Sequence, residues 1–225
     1  MINTAIFDLD GTLVQTERLK AQSYAKAIVE LCPNSISEEE GIEAFKDVVG
    51  LSRKEVATTL IEHFDLTEAA EKRQNEFGVS SAWQAFVQVR LNYYEEMLAD
   101  PNVILNNTWP HTLDLLKAAR KACQNVALAT MSQCKQASKV LEILGLSNAF
   151  DFIATRDDVK NGKPDPEIYH LVADELGVIS EQCIVFEDSP SGVNAALNAN
   201  MHVVAISTPF TKARLHADGA IDDML

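Results

Sequence analysis

Asp8 and Asp10 stand two positions apart at the end of a short apolar run, Thr4-Ala5-Ile6-Phe7. On an extended backbone both side chains lean to the same side. Carboxylates that close repel, and they persist comfortably only with a cation between them or with one of them protonated. Asp188, in Glu187-Asp188-Ser189, adds a third carboxylate from elsewhere in the chain. Such a cluster of oxygen donors suits magnesium, which keeps waters and takes a few carboxylates plus a substrate phosphate. The metal-site candidates are Asp8, Asp10, Glu187 and Asp188, with Glu187 placed to support the others. Phosphoryl transfer needs positioning and charge neutralisation above all. Asp8, ionised, has the makings of a nucleophile that attacks phosphorus, and Asp10 of an acid and base toward the leaving oxygen and water. Gly11 lets the backbone turn closely, so that neighbouring N–H groups can cradle phosphate oxygens. Thr130 offers a hydroxyl, and Lys163 a fixed positive charge beside the stiff Pro164 and Pro166. Gly11, Thr12 and Ser132 are the candidate substrate contacts in these strings.

Each string also has a structural reading. Asp-Leu-Asp-Gly-Thr makes a turn, Ser132 and Ser189-Pro190 make helix starts, and Lys163 makes a solvated loop residue. The elements around them favour the chemical reading. Strands are expected over 2–8, 125–130, 152–155, 184–187 and 203–207. Helices are expected over 110–123, 133–144, 166–176 and 190–199 between them. Short apolar strands alternating with helices imply a parallel sheet covered on both faces, an α/β Rossmann-like core. Ligands of such sheets bind beyond the carboxyl ends of the strands, where strand order reverses. The polar strings fall at those ends. Residues 17–98 show helical periodicity and no convincing strand, with breaks at 32–35, 50–52 and 78–81. Ser37 before Glu38-Glu39-Glu40 reads as a helix start. The expected division is a core of 1–15 and 100–225 with an inserted all-helical cap domain of 16–99.

Bulk composition narrows the partners. The chain is 47% hydrophobic and 23% charged, as soluble globular proteins are. No run reaches membrane-span length, and the basic start and longer apolar stretch of a secretory signal are missing, so a cytoplasmic protein is expected. The formal charge of −14 repels phosphate backbones and anionic membranes, which argues against nucleic acid and membrane partners. An anionic substrate then needs a locally positive site. Four scattered cysteines without metal-site spacing read as core residues rather than as disulfides or zinc ligands.

The set of strings resembles the haloacid dehalogenase-like superfamily of phosphatases and phosphomutases. Asp8-Leu9-Asp10-Gly11-Thr12 is similar to its first motif and Thr130 to its second. Lys163 in Gly162-Lys163-Pro164-Asp165-Pro166 is similar to the third, and Glu187-Asp188-Ser189-Pro190-Ser191-Gly192 to the fourth. The resemblance spans the chain. It implies metal ligation by Asp8, the Asp10 main-chain carbonyl and Asp188. An aspartate at position 10 implies phosphate esters as substrates, because the dehalogenase branches lack one there. The beta-phosphoglucomutase-like group is the most similar. Gly50-Leu51-Ser52-Arg53 resembles its Arg-bearing cap motif, and Arg90 lies near where a second cap cation is implied. Lys20 stands where the mutase carries a cap-linker histidine. The expected activity is a phosphatase for a small phosphorylated metabolite, a sugar phosphate, with a sugar phosphomutase as the alternative and a non-catalytic binding module as a third reading. A monomer is expected, since no exposed heptad pattern argues otherwise.

Overall fold

The computed structural model describes residues 1–32, 36–49 and 51–217. The expected breaks at Pro33–Ser35 and at Gly50 lie outside the described residues. The strands are β1 (Thr4–Phe7), β2 (Asn125–Ala129), β3 (Phe152–Ala154), β4 (Cys183–Glu187) and β5 (His202–Ala205). The longer helices are α1 (Thr16–Leu31), α2 (Glu38–Lys46) and α3 (Arg53–His63), followed by short α4 (Thr67–Lys72) and α5 (Gln74–Phe77). Then come α6 (Ala82–Ala99), α7 (Pro101–Leu105), α8 (Pro110–Ala122) and α9 (Cys134–Ile143). The last are α10 (Glu167–Leu176), α11 (Pro190–Asn198) and α12 (Lys212–Ala217). Residues cluster into two compact units, one of Met1–Thr16 with the chain from Pro101 on, the other of Glu17–Asp100. The fold is an α/β Rossmann-like parallel sheet with an inserted all-helical domain.

In the first unit the described strands form one parallel sheet in the order β3-β2-β1-β4-β5. All four residues of β1 are buried, as befits a central strand with both faces covered. Phe7 pairs with Leu128 on one side and Phe186 on the other, and the Phe7 and Phe186 rings stack at 4.7 Å. This register brings three strand ends side by side. The residue after Phe7 is Asp8, the partner after Phe186 is Glu187, and the residue after Leu128 is Ala129. The chain builds β1 to β3 toward one edge and then crosses back to lay β4 beside β1. Strand order therefore reverses between β1 and β4, and the crevice at their carboxyl ends is where such sheets bind ligands. Below it lies an apolar core that includes Ile6, Ala127, Tyr169, Val172 and Val185.

The second unit is helical throughout its described elements. Ser37 caps α2 and Ser52 caps α3, each in a reciprocal box with a glutamate three residues on, Glu40 and Glu55. Its core includes Tyr24 from α1, packed on Phe45 of α2 at 5.4 Å and on Phe86 of α6 at 5.7 Å. All four cysteines are free thiols, and only Cys183 is fully buried; Cys134 is exposed on the first turn of α9. That corrects the expectation of core cysteines, because the solvent face of α9 carries Cys134 while Ala137, Val140 and Leu141 form its buried face. Among the described residues no helix is long and apolar enough to cross a membrane.

Candidate active site

Asp8 leaves β1 with its N–H on the Phe186 carbonyl (3.0 Å), which holds the backbone in line with the sheet. Its carboxylate Oδ1 accepts from Lys163 Nζ at 2.8 Å. The Lys163 ammonium also donates to the Ala129 carbonyl (2.9 Å) and to Glu187 Oε1 (2.5 Å), so all three of its protons have acceptors. The pair is withdrawn from water, with side chains 4% exposed for Lys163 and 7% for Asp8. Burial pushes the Asp8 carboxyl up to about 8; Lys163 works against this, while Glu187 and Asp10 add to it. Burial also opposes the charge on Lys163, but the combined attraction of Asp8 and Glu187 outweighs it, so the lysine keeps its proton.

Glu187 is the hub behind this pair. Oε1 accepts from Lys163 and from the Tyr169 hydroxyl (3.0 Å), and Oε2 from the Asp188 N–H, the Ser189 N–H and the Ser189 hydroxyl. Ser189 in turn caps α11 by accepting from the Gly192 N–H (3.1 Å), with Pro190 opening the helix. A Cβ at Gly192 would sit 1.9 Å from Glu187 Oε1, so only glycine leaves room for that carboxylate. Gly11 is bound by a similar demand. Its φ is +84°, and a Cβ there would meet Asp188 Oδ2 at 2.0 Å. The close backbone approach expected at Gly11 is thus to the Asp188 carboxylate, and its own N–H goes to the Val14 carbonyl (2.7 Å).

Asp10 faces a different set of groups. Its Oδ2 accepts from the Ser132 hydroxyl (2.6 Å) and the Thr130 hydroxyl (3.2 Å). Ser132 fits a helix-cap pattern in sequence, but Gln133 occupies the N-cap of α9 and Ser132 turns to Asp10. Thr130, fully buried, accepts from the Ser132 N–H (3.0 Å) and so fixes both hydroxyls on one carboxylate. Thr12 is fully buried too. Its carbonyl takes the Thr112 hydroxyl (2.6 Å), which ties the loop to α8, while its own hydroxyl makes no hydrogen bond among the described residues.

Carboxylate oxygens of Asp8, Glu187 and Asp188 lie within 4.8 Å of one another, and all three residues are buried. The Lys163 ammonium is one positive charge against three carboxylates, which leaves an excess of negative charge out of water. A divalent cation offsets that excess, and the all-oxygen donor set is the kind hard cations take. The group therefore fits a divalent metal. Asp8 and Asp188 suit direct ligation better than Glu187, whose two oxygens are already met by five donors.

The remaining candidates, Lys20, Arg53 and Arg90, belong to the second unit. Lys20 pairs with Glu17 at 2.7 Å on α1, and Arg53 is exposed as the first residue of α3. Arg90 is 6% exposed. Its guanidinium lies 4.9 Å from the Tyr24 ring centroid and 4.5 Å from that of Tyr94, and its Nε has no hydrogen-bond partner among the described residues. Burial raises the Tyr24 phenol, and Arg90, Arg53 and Lys20 all pull it the other way, so the three cations share one neighbourhood. Tyr169, Ser189 and Gly192 are site residues that the sequence pattern did not single out for these contacts.

Residues 5–206 match the family model described as haloacid dehalogenase-like hydrolase. The chain is 32% identical over 200 residues to the phosphorylated carbohydrates phosphatase of Thermotoga maritima, covering 89% of this chain and 82% of that one. It is 31% identical over 211 residues to hexitol phosphatase A of Escherichia coli, with 94% and 86% covered. A solved beta-phosphoglucomutase from Clostridium difficile matches with a TM-score of 0.66 at 27% identity, over 92% of this chain and 86% of that one.

Proposed function

We propose that this chain, which belongs to the haloacid dehalogenase-like hydrolase family, is a magnesium-dependent phosphatase of small phosphorylated sugars that works through an aspartyl-phosphate on Asp8. The observation that carries the reading is the Asp8 carboxylate held by Lys163 at the strand-order reversal, close to a separate acid, Asp10. A carboxylate that served only to pair Lys163 would need neither Asp10 nor the hydroxyls that orient it.

In this reading Asp8 attacks phosphorus and the ester oxygen leaves with a proton from Asp10. Asp10 then takes a proton from water as the water attacks the aspartyl-phosphate and releases inorganic phosphate. Thr130 and Ser132 hold Asp10 for both steps, and Lys163 offsets charge on the transferred group. Asp8 and Asp188, with the Asp10 main-chain carbonyl, would hold magnesium, which supplies charge neutralisation and keeps Asp8 anionic at neutral pH. Gly11 and Thr12 shape the loop that approaches the phosphate. Lys20, Arg53 and Arg90 are substrate-binding residues in this reading, supported by their shared neighbourhood in the helical unit.

The sugar-phosphate assignment follows the relatives named phosphorylated carbohydrates phosphatase and hexitol phosphatase A. The net charge of −14 supports a small substrate over nucleic acid or an anionic membrane; in this reading the enzyme is a cytoplasmic monomer. The likeness to a beta-phosphoglucomutase favours one second reading, a sugar phosphomutase that returns the phosphoryl group to another hydroxyl. A panel of sugar phosphates with magnesium, followed for both phosphate release and isomerisation, separates the two. Release of phosphate supports the phosphatase. Isomerisation of beta-glucose 1-phosphate, primed by a bisphosphate and without net release, overturns it.

A further inference from the structure

We propose that Tyr169 is a positioning residue for phosphoryl transfer, seating the Lys163 ammonium on Asp8 through its ring and through Glu187. The proposal rests on the reading that Asp8 and Lys163 act on the phosphoryl group. Tyr169 sits in the first turn of α10 with 0% exposure, the largest fully buried side chain among the described residues. A phenol there costs free energy unless its hydroxyl is bonded, and phenylalanine would fill the same space without that demand. The hydroxyl donates to Glu187 Oε1 at 3.0 Å, the same oxygen that takes Lys163 Nζ. The ring centroid lies 5.2 Å from Nζ, within cation–π range. Tyr169 thus touches both members of the Lys163–Glu187 pair, from one rigid helix.

The arrangement has a directional consequence. Lys163 divides its protons among Asp8, Ala129 and Glu187. A hydroxyl on Oε1 partly satisfies Glu187, which weakens its hold on the ammonium and leaves more of that charge for Asp8. The loop bearing Lys163 is fastened separately, by the Asp165 N–H on the Gly162 carbonyl (3.0 Å) and Asn198 on the Pro164 carbonyl (3.2 Å). Losing the hydroxyl should therefore move the ammonium rather than unfold the loop.

The test uses the full chain with saturating magnesium and p-nitrophenyl phosphate as probe. Tyr169→Phe is expected to lower kcat about tenfold with KM within about twofold, since one hydrogen bond is lost on the charged group that shares the Lys163 ammonium with Asp8. In a Glu187→Gln background the same change should cost less than about twofold, because the hydroxyl acts through that carboxylate. A Tyr169→Phe enzyme with kcat near wild type, or costs that multiply in the double variant, overturns the proposal. If Tyr169→Phe fails to fold, 3-fluorotyrosine at 169 keeps the volume and strengthens the donor; an unchanged kcat then overturns it. Asp8→Asn is the control: if that variant keeps turnover, the underlying reading fails instead.

Discussion

Lys163 Nζ lies 2.8 Å from Asp8 Oδ1, across 155 positions of sequence. The contact is assembled by β1, which ends at Phe7, and by a loop fastened ahead of α10. Both partners are buried, and Glu187 and the Ala129 carbonyl complete the ammonium's three acceptors.

Removing that ammonium should be costly in two ways. Lys163→Met leaves Asp8 and Glu187 buried without their cation, a change that destabilises by about 3–5 kcal/mol where it is not relieved by protonation. It also removes the fixed charge from the transferred group, for a loss of about a thousandfold in kcat. Steady-state kinetics with magnesium, alongside denaturant melts in chelator, check both. A kcat within about tenfold of wild type would remove Lys163 from the mechanism.

The Asp8 carboxyl should be visible in the pH dependence of stability. Its folded value, about 8, lies above its ordinary 3.8. Between those values the folded protein keeps a proton that the unfolded chain has released, so this group's contribution to stability falls as pH rises. Asp8→Asn has no such proton. In chelator, the variant should gain on wild type steadily between about pH 4 and about pH 8. Magnesium should reverse the trend for wild type, raising its melting temperature more at the alkaline end, because the metal takes the anionic form. A wild-type-minus-variant difference that is flat with pH contradicts the burial of Asp8.

At Gly192 the obstacle is steric. A Cβ there would lie 1.9 Å from Glu187 Oε1, and Glu187 has five donors holding it in place. Gly192→Ala should destabilise by about 2 kcal/mol, a fall of about 4–8 °C in Tm, and lower kcat by disturbing the hub. Thermal melts and turnover check it together; a stable variant with normal kcat would show that Glu187 moves freely.

Arg90 offers the opposite trade. Its guanidinium is buried between Tyr24 and Tyr94, and its Nε has no partner among the described residues, an arrangement that costs stability unless a ligand uses the charge. Arg90→Met is expected to raise stability by about 1 kcal/mol and to raise KM for sugar phosphates by about tenfold or more. A lower melting temperature with unchanged KM would make Arg90 a packing residue.

Much of this site was legible because parallel strands announce themselves. Thr4–Phe7, Asn125–Ala129 and Cys183–Glu187 are short apolar runs, and the chain leaves each of them on polar residues at the end where such sheets bind ligands. Asp8, Thr130 and the Glu187-Asp188 pair are candidates from the sequence alone. Lys163 was legible through the two prolines that follow it and through the resemblance of Gly162-Lys163-Pro164-Asp165-Pro166 to a family motif. What stayed hidden depends on contacts between elements distant in sequence. Tyr169 shares the inward face of α10 with Ile168, Val172 and Ala173, a pattern that apolar burial explains without reference to its hydroxyl. Ser132 satisfied a helix-cap pattern, and its bond to Asp10 crosses 122 positions. Arg90 kept helical spacing with Trp83, Phe86 and Val87, so nothing in the pattern marked it as a cation held between two tyrosine rings.

Lys163, with Glu187 behind it, converges on Asp8, the residue proposed to take the phosphoryl group. Rapid acid quench of the magnesium-loaded enzyme during turnover of a sugar phosphate, followed by peptide mass spectrometry, measures that directly. The predicted result is a phosphoryl adduct on Asp8 that forms faster than phosphate is released and is absent from Asp8→Asn, with turnover of that variant lost. Full-rate phosphate release with no adduct on Asp8, or an Asp8→Asn enzyme that keeps its activity, would contradict it.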